Sequence, residues 1–289
     1  MLQVSRISTF FGAVAAAFSI TAVSAPAQAQ IETSVGTFSP SVTITSNYIF
    51  RGLSQSRKDP AIQANLEYTY EIGAFTPYAG MFASTTRFPS NNTPAGSTDI
   101  RQPRELDFFG GVRWKTPLDG LLLDVGFISY TYPGNTADQN RNGGPNAYGN
   151  PQWNEVYGKF AYDFGLATAV GSVYYAKDFS YGAGKAMYYE GGFDVPLPFA
   201  FLGSARVGRQ TIDVNATFGA PDYTTWNVGL ARDIEWPFAL TAALVYSDTN
   251  IKRNASLGTD KVAGGVGTLQ PDAYEQTKGQ VAFSLTKKF

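Results

Sequence analysis

The side chains able to do chemistry are carboxylates and basic groups set at every second position of alternating segments. Glu67, Glu71, Glu105, Asp107, Arg113, Asp124, Glu155, Lys159, Asp163, Lys177, Glu190, Asp194 and Arg206 occupy the polar parity of such segments. Both signs are present. Two carboxylates side by side are the signature of acid–base hydrolysis, but Glu67 and Glu71 are four apart in a strand, roughly 13 Å, too far to act as a pair. Glu105 and Asp107 stand roughly 7 Å apart and read more simply as the lining of a polar interior. The chain has no His and no Cys. That removes the commonest general base, the commonest transition-metal ligand, the thiolate nucleophile and the disulfide. A Ser–Lys dyad or a carboxylate pair is the residual catalytic option. Glycines are spread through strands and turns, with no phosphate loop or dinucleotide pattern. The Asn- and Gly-rich stretch 135–150 lacks the ligand spacing of a calcium loop. The expectation is a protein that is not an enzyme, with no cofactor, no metal and no catalytic residue. A second basic set, Arg51, Arg57, Lys58, Arg101 and Arg104, reads either as a basic mouth that attracts anions or as scattered, solvated loop charge.

Those charges need strands to position them. The last segment shows the pattern best. Val281, Phe283, Leu285 and Phe289 share one parity; Gln280, Ala282, Ser284, Thr286 and Lys288 share the other. A period of two is a strand with two different faces. Eleven further segments follow the same rule: 41–51, 61–72, 75–85, 105–115, 121–132, 153–164, 166–177, 186–195, 200–210, 223–234 and 238–248. In 121–132 the apolar parity shifts from Leu121, Leu123, Val125 and Phe127 to Ile128, Tyr130 and Tyr132, which a bulge would explain. Parity is ambiguous in the seventh and ninth segments. The connections alternate long and short along the chain. The even strand number, the short turns on one side and both ends at that side match a transmembrane β-barrel. Closure would also remove every exposed edge. The competing architecture is a periplasmic β-sandwich or two-domain adhesin.

Composition agrees with the barrel. Only 16% of residues are charged and 15% are aromatic, a mix suited to strands and turns. Residues 1–29 read as a secretory signal peptide, with Arg6, an apolar run from Phe10 to Val23 and the cleavage pattern Ala27-Gln28-Ala29. The expected organisation is therefore a signal peptide over 1–29, a short periplasmic segment over 30–40 and a single antiparallel barrel of about twelve strands over 41–289. Aromatics divide into two expected girdles. Phe75, Trp114, Phe164, Phe199, Trp236, Phe238 and Phe289 lie by the short turns. Tyr48, Phe82, Tyr132, Trp153, Tyr174, Tyr189, Trp226 and Tyr246 lie nearer the long loops.

The segment Ser46-Asn47-Tyr48-Ile49-Phe50-Arg51-Gly52-Leu53-Ser54-Gln55-Ser56, followed by Asp59-Pro60-Ala61-Ile62-Gln63, resembles the opening of the TorF family of porins. Glu105-Leu106-Asp107-Phe108-Phe109-Gly110-Gly111, Tyr130-Thr131-Tyr132-Pro133-Gly134 and Asn154-Glu155-Val156-Tyr157 fit it as well. The resemblance implies an outer-membrane barrel and brings no site residues with it. From the residues themselves, a twelve-strand barrel is wider than one filled by side chains and narrower than an open porin. The expected function is passive diffusion of small hydrophilic solutes through a narrow lumen, where facing charges set up a transverse field. The alternative is a plugged structural, receptor-like or adhesive barrel in which the same charges pair with one another. Expected partners are outer-membrane lipid, small polar solutes and the barrel-assembly machinery, met through the strand ending at Phe289. A net charge of −1 implies no nucleic-acid surface. Selectivity is expected from the lumen charges and from whichever long loop folds inward; 86–104, 133–152 and 249–276 are the candidates, with nothing to rank them.

Overall fold

The structure is a computed structural model that describes residues 31–33, 35–87, 104–133, 152–215, 220–235, 239–252 and 274–289. Its strands are β1 (Ile31–Thr33), β2 (Gly36–Thr45), β3 (Ile49–Phe50), β4 (Leu53–Ser54), β5 (Ala61–Thr69), β6 (Phe75–Thr85), β7 (Arg104–Lys115) and β8 (Leu121–Thr131). They continue as β9 (Trp153–Asp163), β10 (Thr168–Ala176), β11 (Ala186–Leu197), β12 (Phe201–Ile212), β13 (Tyr223–Ile234), β14 (Leu240–Thr249) and β15 (Gln280–Lys288). From β5 to β15 each strand pairs antiparallel with the next. Strand β2 pairs with both β15 and β5, which closes a twelve-strand barrel. β1 adds a short hairpin to β2. The closing seam is short: only Ser41–Thr45 of β2 pair with Ser284–Lys288 of β15. The chain just beyond extends it. Ser46 N–H donates to the Phe283 carbonyl at 2.8 Å, and Phe283 N–H donates to Ser46 Oγ at 2.9 Å.

Alternation decides which face meets what. The outer face carries Ile44, Ile62, Leu66, Phe108, Val125, Phe127, Val156, Phe160, Val173, Phe193, Val207, Val228, Leu244, Val281 and Phe283, all exposed. A continuous apolar surface of that size belongs against lipid. The outward charges of the barrel strands are Arg104, Arg209, Arg232, Asp248 and Lys287, each close to a strand end. Mid-depth placement of such an Arg or Lys costs about 2–4 kcal/mol, and that cost fades toward the interfaces. Among the described residues no helix is long and apolar enough to cross a membrane. The strands supply the apolar surface instead.

Several expectations change. The first wall strand runs Gly36–Thr45, not 41–51, so half of it comes from the segment expected to precede the barrel. Residues 47–51 leave the wall. Strand β8 has no bulge: it pairs without interruption with β7 and with β9. Ile128 and Tyr130 face inward in phase with Asp124, because the interior at that level is itself aromatic. The girdle at the short turns is outward at Phe75, Trp114, Phe164, Phe199 and Phe289; Trp236 and Phe238 lie outside the described residues. At the long-loop end only Tyr189, Trp226 and Tyr246 are exposed. Tyr48, Phe82, Tyr132 and Trp153 are buried in the interior, with Tyr174 packed against them. The signal peptide expected over 1–29 also lies outside the described residues.

Leu244→Arg, at mid-strand on the lipid-facing side, is expected to lower unfolding free energy in phospholipid vesicles by about 2–4 kcal/mol. Asp248→Asn, near the strand end, should stay within about 0.5 kcal/mol of the parent. Urea titration of refolded protein, followed by tryptophan emission, checks both.

Candidate functional site in the barrel interior

The interior is organised by the connection from β2 to β5, residues 46–60, which folds into the barrel. Its core is the small hairpin β3–β4. Arg51 and Gly52 form the tip with φ of 48° and 83°, the positive pair of a tight two-residue hairpin turn. Glycine is required at the second position for a further reason: a Cβ on Gly52 would stand 2.4 Å from Thr225 Oγ1. The root is fixed by side chains. Asn47 Nδ2 donates to Gln280 Oε1 at 2.8 Å, and Ser54 Oγ donates to Asn47 Oδ1 at 2.6 Å. Gln280 Nε2 donates to the Gly52 carbonyl at 3.0 Å. Ser56 Oγ receives the Tyr48 N–H at 2.9 Å and donates to the Asp59 carbonyl at 2.6 Å.

Arg51 carries the tip across the bore. Its Nη1 and Nη2 donate to Glu155 Oε1 and Oε2 at 2.9 and 2.6 Å, and Nη1 also reaches Gln210 Oε1 at 3.0 Å. Tyr130 donates its hydroxyl to Glu155 at 3.1 Å. The guanidinium lies 4.7, 4.9 and 4.5 Å from the ring centres of Phe50, Tyr174 and Tyr188. Side-chain exposure of the pair is 5% for Arg51 and 1% for Glu155. A bidentate carboxylate and aromatic faces are what a buried guanidinium needs. Arg51 is therefore no part of an external basic mouth. Arg104 is exposed on the outer face at the start of β7. Lys58 is exposed and Arg57 half-buried on the loop, while Arg101 lies outside the described residues.

The other expected residues fall into groups. Arg113 binds Glu67 through both nitrogens, at 2.9 and 2.6 Å, and lies 4.0 Å from the Tyr78 ring centre. Tyr78 donates to Asp124 at 2.6 Å and shares a 2.5 Å hydrogen bond with Tyr157. Lys159 covers the Tyr157 ring at 4.3 Å, within electrostatic reach of Asp124. Arg206 meets Asp194 at 2.6 Å, and Glu190 accepts from Tyr188 at 2.6 Å. Glu105 and Asp107 are buried side by side on β7. Two residues sit at the short-turn rim. Glu71 lies beyond β5, 3.5 Å from Lys115, and Asp163 accepts the Gly165 N–H at 2.7 Å. Lys177 is not in the interior. It follows β10 on the outward parity and is exposed, because Thr168 and Ala176 fix the inward phase of that strand.

The aromatic residues that hold these charges were not legible as site residues. Three of them pair across strands with a glycine: Tyr78 with Gly111, Phe109 with Gly80 and Tyr157 with Gly126. Each ring lies over its glycine; a Cβ at Gly126 would stand 2.5 Å from Tyr157. The opposite wall carries short side chains and no charge short of Lys288 at its rim. Ser39, Ser41 and Thr43 of β2, Ser284 and Thr286 of β15 and Thr241 of β14 point inward and are only half-buried. Solvent therefore reaches the short-turn half. The long-loop half is closed: Thr45, Gln210, Tyr223, Thr225, Ser247 and Gln280 are buried around the hairpin tip.

A family model described as a bacterial protein of unknown function (Gcw_chp) matches residues 29–270. The chain belongs to the Gcw_chp family. No curated protein sequence matches this Gcw_chp chain. Among solved structures, an outer membrane channel from Pseudomonas putida F1 superposes with a TM-score of 0.52 at 12% identity, covering 92% of this chain and 100% of that one. A Pseudomonas aeruginosa FadL homologue gives 0.49 at 12% identity, covering 89% and 76%. The KdgM porin gives 0.47 at 6% identity, covering 87% and 99%. The likeness is one of fold: a closed antiparallel barrel of the kind found in outer-membrane channels.

Glu67→Gln leaves the Arg113 guanidinium without its carboxylate in a buried setting. The expected loss is about 3 kcal/mol of unfolding free energy, read as a lower urea midpoint in vesicles.

Proposed function

We propose that this Gcw_chp protein is an outer-membrane channel through which small hydrophilic solutes diffuse along a narrow, charge-lined lumen. The inward hairpin 46–60 is its closure. The observation that carries this reading is the division of the interior: a solvent-reached short-turn half, and a long-loop half sealed by a hairpin whose tip meets Glu155 through Arg51 and Gln280 through the Gly52 carbonyl. A wall that presents only apolar side chains at mid-depth supports insertion in lipid. Export by a cleaved signal peptide over 1–29 and assembly through the terminal strand belong to the same proposal, as does kinship with the TorF porins. The half-buried hydroxyl wall faces the paired charges Glu67, Arg113, Asp124 and Lys159, so a solute in the open half lies in a transverse field. No catalytic step, cofactor or energy source enters.

A second reading has a specific observation in its favour. The hairpin is pinned by buried hydrogen bonds and an aromatic cluster, which suits a permanently plugged receptor-like barrel. Conductance separates the two. In planar bilayers the parent protein is expected to give small, stable steps. Arg51→Ala should raise the open probability or step size severalfold by releasing the tip from Glu155. Silence of both proteins after verified insertion would overturn the channel reading in favour of the plug. Deleting Phe289 is expected to reduce outer-membrane assembly severalfold in cells, read as heat-modifiable barrel in the membrane fraction, while leaving refolding in detergent intact.

A further inference from the structure

Four interior cations each have a carboxylate beside them, and of the three carboxylates that remain Glu190 alone has cations within reach. Arg51, Arg113 and Arg206 each face their own carboxylate at 2.6 Å. Lys159 lies by Asp124, and Glu190 is held by Tyr188 within reach of Arg206 and Arg51. Glu105 and Asp107 are left over. They stand two apart on the inward face of β7, roughly 7 Å along the strand, with exposures of 3% and 0%. Among the described residues no cation pairs with either. Neither carboxylate oxygen of Asp107 has a hydrogen-bond partner, nor does Glu105 Oε2; Glu105 Oε1 accepts from Tyr132 at 3.2 Å. Uncompensated buried carboxylates are costly, and a counter-charge removes that cost.

What surrounds the pair indicates the kind of counter-charge. Tyr48 of the inward hairpin is buried at 2% exposure. Its hydroxyl lies beside Glu105 and Asp107, its charged neighbours, without a hydrogen bond of normal geometry to either. Trp153, buried in the same cluster, also has an indole N–H without a partner. Tyr132 and Tyr130 stack with Trp153 at 6.0 and 4.2 Å between ring centres. Among the described residues no three acidic side chains converge as a metal site would need. Calcium takes 6–8 oxygen ligands and magnesium an octahedron, more than this place offers. Two carboxylates beside aromatic rings instead match an organic ammonium, which combines ion pairing, N–H donation and cation–π attraction.

We propose that Glu105 and Asp107, under Tyr48 and beside Tyr132, bind the ammonium group of a small organic cation. The site names a solute class for the proposed channel and rests on that reading only for the cation's passage, not for its binding. Glu105, Asp107 and Tyr132 come from the wall and Tyr48 from the inward segment, so the site is complete only with the hairpin folded in.

The test is a thermal-shift and tryptophan-emission titration of the full chain in detergent at neutral pH. Methylammonium chloride is titrated against sodium chloride at equal ionic strength. A saturable stabilisation by methylammonium, not matched by sodium, is expected. Asp107→Asn should weaken it at least tenfold. Asp233→Asn, whose carboxylate is occupied by Thr241 at 2.5 Å near the short-turn end, should leave it unchanged. An equal response to sodium would overturn the organic-cation assignment. So would no saturable response in the parent, with Asp107→Asn more stable by the same amount with and without methylammonium; protons alone would then hold the pair. None of these readouts needs conductance, so a silent bilayer would remove the channel reading and leave the site standing.

Discussion

A charge in the wall of this protein has one tolerable direction at mid-depth, and that is inward. Everything else in the interior follows from the constraint. Twelve strands with lipid-type outer faces send every mid-depth ionisable side chain into a bore only a few side chains wide. There the charges are too close to stay independent, and each cation has found a carboxylate on another strand. Arg113 joins β7 to β5, Arg206 joins β12 to β11, and Arg51 joins the inward hairpin to β9. The charge network is thus a set of cross-links inside a structure whose wall already closes through backbone hydrogen bonds.

Aromatic rings and glycines make that network fit. A tyrosine lying flat over a glycine on the next strand presents its face to a guanidinium and its hydroxyl to a carboxylate. Tyr78 does both, over Gly111, with Arg113 and Asp124. The result is an interior of two unlike sides. The wall from β5 to β9 is ionic, aromatic and tightly filled. The wall formed by β14, β15 and β2 is lined with hydroxyls and small side chains and admits solvent.

The wall was legible in the sequence and the filling was not. Strands 75–85 and 223–234 coincide with β6 and β13, and most others differ by a few residues at their ends. Polar parity matches the inner face at Glu105, Asp107 and Arg113 and fails at Lys177, just past the end of β10. It misled where apolar residues face inward. Ile128 and Tyr130 looked like a shift in phase, because an apolar residue has a place in lipid and an equal place beside Trp153. The same ambiguity hid the hairpin. Tyr48 and Phe50 continue the phase of Val42 and Ile44, so 41–51 reads as one strand. What ends the strand is a set of long-range hydrogen bonds, above all Asn47 to Gln280 at 233 positions' remove, and pattern within a window contains no trace of it. Most of the three long loops 86–104, 133–152 and 249–276 lies outside the described residues; the connection seen to enter, 46–60, read as part strand and part loop.

The brevity of the seam between β2 and β15 gives the hairpin a second task. Ser46 and Asn47, where the hairpin leaves the wall, bond to Phe283 and Gln280 and so carry the junction of first and last strand beyond its five ladder pairs. The clasp that shuts the cylinder and the stalk of the stopper are the same few residues. Opening by withdrawal of the whole segment would unfasten the cylinder, whereas a swing of the Arg51 tip about an anchored Asn47 would not. For the proposed channel, opening is therefore the motion of a hinged flap, not of a cork.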